Sequence, residues 1–412
     1  MAEISDTGAL DSLHGDPADT DEDTGTTLEA SPPPEAGPCA EIAANPPTVY
    51  VDKRSTRASK GTSDCPFATI REAVTFVAAL PSTSGKHTIR VAGGTAGAPL
   101  VYDEPMLVLK PNTTLIGDGP GRVVIIGGGT CNMAVCMVVM EGNTALEGVT
   151  IDAKGGQKIP LAMGPGILTG ASAKSITVTG TKDDKTPGIY VNGGGAAELG
   201  PDVKVIDNGG HGILVQTIYS LKLTGAPGSP NQINRNLYGV QLLAGRLEIN
   251  GATEVSKNAR HGVILVMNDK TTHVLDGLQA VDNGGTGLFV DGGAGLRLRH
   301  SKLVRNDLGL SFRFAIGNEL DLGTGFSPGD NFIGGLTEKN KRAGICLPSS
   351  RVTNSPARGN GFSACPPTAS PMPESEKACE SLSGDYRDIY FGVGTISPTS
   401  GVPLELDGCT SK

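Results

Sequence analysis

Asn208-Gly-Gly-His-Gly212-Ile213, Asn236-Leu-Tyr-Gly239-Val240, Asn258-Ala-Arg-His-Gly262-Val263, Asn283-Gly-Gly-Thr-Gly287-Leu288 and Asn306-Asp-Leu-Gly309-Leu310 are copies of one phrase. An Asn stands three or four residues before a Gly, and an aliphatic residue follows the Gly. Asp184-Lys-Thr-Pro-Gly188-Ile189 reads as an earlier copy with Asp184 in the Asn seat, and Gly166-Ile167 as one without the Asn. The glycines recur about every 24 residues, and a period in that range marks a solenoid.

What fills the period decides which solenoid. A short apolar run follows each Gly, as in Ile213-Leu-Val215 and Leu288-Phe-Val290. About ten residues on comes an alternating run such as Leu221-Lys-Leu-Thr or Leu296-Arg-Leu-Arg, and a third run, such as Val203-Lys-Val-Ile, leads to the next Asn. Alternation places one face in a core and the other in water. Three short strands and three turns per period make one rung of a parallel β-helix, with room for about ten or eleven rungs between Ile89 and Gly344. The Asn is expected to take the left-handed conformation at a tight turn and to bond amide to amide along the axis. Gly is expected to give the turn its exit.

This organisation resembles the right-handed parallel β-helix of the pectin-lyase-like superfamily, over roughly residues 48–345. The passage Thr48-Val-Tyr-Val-Asp52, Gly61-Thr…Pro66-Phe-Ala-Thr-Ile70-Arg-Glu-Ala is similar to the opening of a bacterial family of secreted β-helix proteins. That resemblance implies a short helix capping the open end of the core. The residues agree: Thr69 and Glu72 have capping-box spacing, with Ile70, Val74 and Val77 facing inward. Gly117-x-Gly119-x-Gly121 lacks a βαβ context and reads as a turn.

Around this all-β body lie two other segments. Residues 1–47 are polar and Pro-rich and are expected to be a disordered acidic tether; residues 1–41 hold eleven Asp or Glu and no Lys or Arg. The segment resembles the tether of bacterial surface lipoproteins, which implies an extracytoplasmic, secreted or surface-tethered protein, although the sequence shows no basic, apolar leader. Net charge is −9, so the tail carries the acidity and the rest is near neutral. No nucleic-acid partner and no transmembrane segment are expected. Residues 346–412 hold four of the eight cysteines and are expected to form an irregular C-terminal cap, with a strand pair near Ile389 and Leu404. Disulfides are expected, in an oxidising compartment.

Relatives of this fold act on acidic polysaccharides, which directs attention to carboxylates. Tyr102-x-Glu104 resembles the opening of pectin methylesterases, but their later catalytic stretches are missing. Asp183-Asp184 followed one rung later by Gly210-His211-Gly212 resembles the paired acids and Gly-His-Gly of polygalacturonases, so Asp183, Asp184 and His211 are the catalytic candidates. The companion elements are absent, and the same three residues fit solvated turn positions. His211 and His261 lie two rungs apart, about 9.5 Å, too far to share a metal; no metal or cofactor is expected. Lys222, Arg246, Arg297 and Arg299, with Lys302 beside them, could stack into a basic stripe that binds an anionic polysaccharide. The expected function is a non-catalytic β-helix for adhesion, display or polysaccharide binding; the alternative is a hydrolase or lyase acting on an acidic glycan.

Overall fold

The computed structural model describes residues 38–347 apart from 58, 82–84, 132–133, 165–169, 268–270, 293–294, 314–319, 325 and 335–336. Beyond 347 it describes 355–356, 360–362, 369–371, 387–391, 404–405 and 410–411. The acidic segment up to residue 37, and most of the region after 347, thus lie outside the described residues.

Three parallel sheets run side by side along the chain. Sheet 1 starts at Thr48–Val51 and stacks His87–Val91, Thr113–Gly117, Ala145–Glu147 and their successors as far as Leu320–Asp321. Sheet 2 runs from Leu100–Glu104 through Val203–Ile206 to Lys302–Val304. Sheet 3 collects the runs that follow the repeat glycines, from Leu107–Leu109 through His211–Thr217 to Ala343–Leu347. Two long strands, Arg246–Ser256 and Thr272–Val281, pass from sheet 1 into sheet 2 without a break. The turn is made at Gly251 and Gly277, both at positive φ, where a Cβ would strike the backbone of the glycine one rung before.

The core is a set of aliphatic columns. In sheet 3 the register stacks Leu161, Ile189, Ile213, Val240, Val263, Leu288, Leu310, Ile345 and Ile389, every one of them 0% exposed. Each contributes roughly 1.5–3 kcal/mol by leaving water. At the N-terminal end helix α1 (Ile70–Ala78) lays Ile70, Ala73, Val74 and Val77 on the first rungs, with the Thr69–Glu72 capping box in place. Glu104 is buried beneath it and accepts the Ile70 amide at 2.7 Å and the Arg71 amide at 3.2 Å, where the helix dipole favours a carboxylate. Tyr102 is buried as well and donates its hydroxyl to the Ala92 carbonyl at 2.8 Å. Burial raises its phenol to about 12. Glu104 therefore anchors the cap, and Tyr102 is tied to the chain just after His87–Val91.

The Asn column joins sheets 2 and 3. Asn208, Asn236, Asn258, Asn283, Asn306 and Asn340 are all buried. The Oδ1 of each from Asn236 onward accepts both the backbone N–H and the Nδ2 of the Asn one rung before, at 3.0 and 3.2 Å for Asn258 Oδ1. Each Nδ2 also donates to a sheet-2 carbonyl, that of Asn258 to Ile233 at 3.1 Å. The stacking is as expected, but the left-handed conformation is not the Asn's. It falls on the residue before it: Asp207, Arg235, Lys257, Asp282 and Arg305 have φ of 55° to 58°. The repeat glycines are not at positive φ either. A Cβ on Gly239 would lie 2.3 Å from the Gly262 carbonyl and 3.0 Å from Asn258 Nδ2, so the glycine makes room for the carboxamide of the next rung.

Two copies are placed differently from the sequence reading. Thr181, not Asp184, occupies the first Asn seat: it follows Gly180 at φ 87° and its amide donates to Asn208 Oδ1 at 3.4 Å. Gly166 and Ile167 lie outside the described residues, and the strand paired with Ile189–Asn192 is Ile159–Met163, which puts Pro160 before Leu161 in the Gly seat. A second column, Ser301–Asn331–Asn360, joins sheets 1 and 2 near the C-terminal end. Farther on, Arg387–Phe391 and Leu404–Glu405 do not pair with each other. The first adds to sheet 3 between Ala343–Leu347 and Ala369–Pro371, and the second pairs with Ser355–Pro356.

Disulfides join Cys39 to Cys65 and Cys131 to Cys136, and Cys346 is disulfide-bonded too. Among the described residues no helix is long and apolar enough to cross a membrane.

Replacing Asn258 by Ala removes one acceptor for two buried donors and two donors of its own. At about 1–3 kcal/mol for each buried group left unpaired, the variant should lose roughly 3 kcal/mol or more in urea unfolding, with the midpoint falling. An unchanged midpoint would remove the column from what supports the fold.

Candidate functional site

Register decides what the outer face of sheet 1 presents. Its central column reads Ser172, Glu198, Lys222, Glu248, Val274, Arg297 and Asp321. Cations and carboxylates interleave. Lys222 pairs with Glu198 at 3.3 Å, Arg246 with Glu248 at 3.2 Å and Arg297 with Asp321 at 3.3 Å. Arg299 is buried and grips the same Asp321 through Nη2, at 2.7 and 2.8 Å. Lys302 pairs with Glu338 at 2.7 Å. Lys222 and Arg297 share the central column but are separated in it by Glu248 and Val274, and each of the five cations has an acidic partner, so together they make a charge-compensated surface.

Two of them do converge. Arg246 and Arg297 border an open depression of about 520 Å³ on this face, together with Ile218, Tyr219, Thr271, Thr272 and Val274. Tyr219 sits on the turn from sheet 3 into sheet 1, is 79% exposed, and is held by its backbone: its N–H donates to Gly195 at 2.8 Å and its carbonyl accepts from Arg246 at 3.0 Å. Gly245, at φ 91°, lets the next turn pass, since a Cβ there would lie 2.0 Å from the Ile218 carbonyl. Val274 gives the depression an apolar floor. The two arginine side chains keep about half of their surface in water, 41% for Arg246 and 55% for Arg297, and can meet an anionic ligand through planar donor pairs. The phenol ring offers a face for a pyranose. Sequence reasoning found Arg246 and Arg297 but missed Tyr219. Its only signal is an aromatic residue directly before the Ser220-Leu-Lys-Leu run, where neighbouring rungs carry Gly245 and Thr271.

Asp183, Asp184 and His211 fall on the other side, where sheet 2 turns into sheet 3. Asp183 folds back on its own loop: Oδ1 accepts the amides of Lys185 and Thr186 at 2.9 and 2.8 Å, and Oδ2 accepts the Thr186 hydroxyl at 2.7 Å. Burial alone would raise this carboxyl, but those bonds hold it below its ordinary range. Asp183 and Asp184 border a shallow depression of about 500 Å³ with Gln157, Ile159 and Pro187. His211 does not line it, and no hydrogen bond or ion pair links the imidazole to either carboxylate. Instead His211 opens a column of rings on the outer face of sheet 3. It stacks on Tyr238 (centroids 4.8 Å apart), Tyr238 on His261 (6.2 Å) and His261 on Phe289 (5.4 Å). Arg260 lies over Tyr238 and donates to its hydroxyl at 2.8 Å. Tyr238 thus sits between the two histidines. Among the described residues no three His, Cys, Asp or Glu side chains converge as a metal site would need.

No protein-family model matches the sequence, and neither does any curated protein. Among solved structures the chain is similar to the A-module of a mannuronan C-5 epimerase from Azotobacter vinelandii, with a TM-score of 0.52 and 14% identity over 83% of this chain and 94% of that one. It also aligns with the Dettilon tailspike protein, with a TM-score of 0.48 and 13% identity over 87% of this chain and 68% of that one. The epimerase module shares the fold, a parallel β-helix.

Burial holds the His211 imidazole below its ordinary value of 6.5, against a hydrogen bond with Gln241 that raises it. The folded state therefore binds this proton less tightly than the unfolded chain does, and stability falls as pH drops below about 6.5. His211→Tyr keeps a ring in the stack and removes the proton. The wild type should lose more unfolding free energy between pH 7 and pH 5 than this variant does, by urea titration; equal losses would contradict the burial effect.

Proposed function

We propose that this β-helix binds glycans, and that the depression between Tyr219, Arg246 and Arg297 holds an acidic sugar unit. One observation carries the reading: the fold brings two half-exposed arginine side chains and an exposed tyrosine to one rigid, apolar-floored surface. Carboxylate recognition by Arg together with sugar stacking on an aromatic ring is the chemistry such a surface offers. Glu248 and Asp321 already engage the two arginines, so a polymer carboxylate would compete for donors that are held in place. The groups lining this depression are guanidinium, hydroxyl, phenol and aliphatic, which suits binding better than proton transfer. A mannuronan C-5 epimerase, which shares the fold, supports a polysaccharide ligand by analogy of architecture.

In this reading the protein works outside the cytoplasm, secreted or tethered to the surface through its acidic N-terminal segment, for adhesion, display or polysaccharide binding. Disulfides at Cys39–Cys65 and Cys131–Cys136 support an oxidising compartment. Residues 48–345 act as the binding body, with 1–47 as tether and 346–412 as C-terminal cap.

Retention on immobilised polymannuronate or polygalacturonate tests this. Arg246→Ala with Arg297→Ala should weaken retention at least tenfold at low salt, and Tyr219→Ala should weaken it by a smaller factor. Unchanged retention in the double variant would remove the site. The same polymers serve for activity: release of reducing or unsaturated ends, abolished by Asp184→Ala, would replace the binding reading with a hydrolase or lyase.

A further inference from the structure

The outer face of sheet 3 carries a second pocket, of different chemistry. Next to the sheet-3 strand Ala134–Met140, the chain doubles back: Gly129–Cys131 pairs with that strand in antiparallel fashion, and the Cys131–Cys136 disulfide ties the hairpin shut. Beside it Cys136, Val139, Ile159 and Ala162 form a small buried cluster separate from the main core. Outward-facing strand residues are ordinarily wet and polar; here Val139 and Ala162 are apolar and only 6% exposed. Between this cluster and the next rungs lies a half-enclosed cavity of about 330 Å³. Its far rim is polar: Tyr190, Asn192 and Gln216. The Tyr190 hydroxyl donates to Gln216 Oε1, and Asn192 Oδ1 accepts from Thr217 at 2.6 Å. Those bonds orient both carboxamides and leave their Nδ2 and Nε2 donors without a protein partner among the described residues. Among the described residues no charged side chain lines the cavity.

We propose that this pocket binds a neutral acetamido sugar unit. The acetyl methyl fits the floor of Val139 and Ala162, where burial of a small apolar group is favourable. The ring lies against Tyr190, and the carboxamide donors of Asn192 and Gln216 meet the acetamido carbonyl and a ring hydroxyl. An uncharged lining disfavours a uronate, whose carboxylate would be partly desolvated there without a cation. The volume suits one sugar unit rather than a chain segment. The inference rests on the reading of this protein as a glycan binder, but it uses none of the residues of the sheet-1 depression.

Saturation-transfer NMR with N,N′-diacetylchitobiose on the full chain tests it, with cellobiose as the control lacking acetyl groups. Transfer to the acetyl methyls is expected for the wild type and for Arg246→Ala with Arg297→Ala. It should disappear in Ala162→Trp, which fills the cavity from an outward-facing position, and weaken at least threefold in Gln216→Ala, a rim change that leaves the floor intact. Absence of transfer, equal transfer to cellobiose, or full transfer in either cavity variant overturns the proposal. Retention on polyuronate read from the same preparations separates the two failures. If it persists in the wild type while chitobiose fails, only the second site falls; if both fail, the glycan reading falls with it.

Discussion

A buried carboxamide must satisfy two donors and an acceptor without water, and in this chain it can do so only through the rungs on either side. Asn283 shows the arrangement: its Oδ1 takes the amide and Nδ2 of Asn258, while its own Nδ2 reaches Asn306 and the Val255 carbonyl. Asp could not donate, Gln would be one methylene too long for the same turn, and Ser could not do both jobs. The column therefore fixes the turn between sheets 2 and 3 to one geometry. That geometry needs a left-handed residue just before the Asn, and on the following strand a residue with no Cβ where the next carboxamide lies. The repeat visible in the sequence is the imprint of these three requirements.

Stacking at about 4.8 Å also governs charge. Two like charges at that spacing repel by roughly 1–3 kcal/mol between fully wet and partly shielded conditions, so a column of unrelieved cations would be costly. Sheet 1 interleaves Lys222 with Glu198 and Glu248, and the left-handed positions pair Arg235 with Asp207 and Arg305 with Asp282. Hydrogen bonds from those arginines hold the Asp207 and Asp282 carboxyls below their ordinary range. Charge compensation between rungs breaks up the basic stripe that residue spacing alone suggests. What survives is local: Arg246 and Arg297, one column apart, facing a gap at Val274 where no charge intervenes.

The parts of this protein that repeat were legible before the structure, and so was the helix that caps them. Thr69 and Glu72 announce the cap by local spacing, and the strand runs by alternation. Features that depend on register were not legible. Asp184 looks like a ladder residue because it lies four residues before Gly188, yet the loop from Lys182 to Thr186 is an insertion and Thr181 holds the seat. Tyr219, Arg246 and Arg297 are 27 and 51 positions apart, and His211 meets Tyr238 only because unequal periods keep the two in register. Periodicity shows that rungs exist. It does not show which outward side chain ends up above which.

This division of labour bears on where function can lie. Residues of the Asn turn are over-determined, so a ligand there would have to disturb buried hydrogen bonds. Sheet 1's entry turns and the hairpin over sheet 3 answer to no such constraint and carry irregular features: an exposed tyrosine in one, a disulfide-tied overhang in the other. Both nevertheless rest on strands whose partners are fixed on either side. A ligand meeting them would find side chains already positioned, and little of its binding energy would go into ordering the protein. The rigid column would thus support binding from a distance, by holding still the faces that it does not itself form.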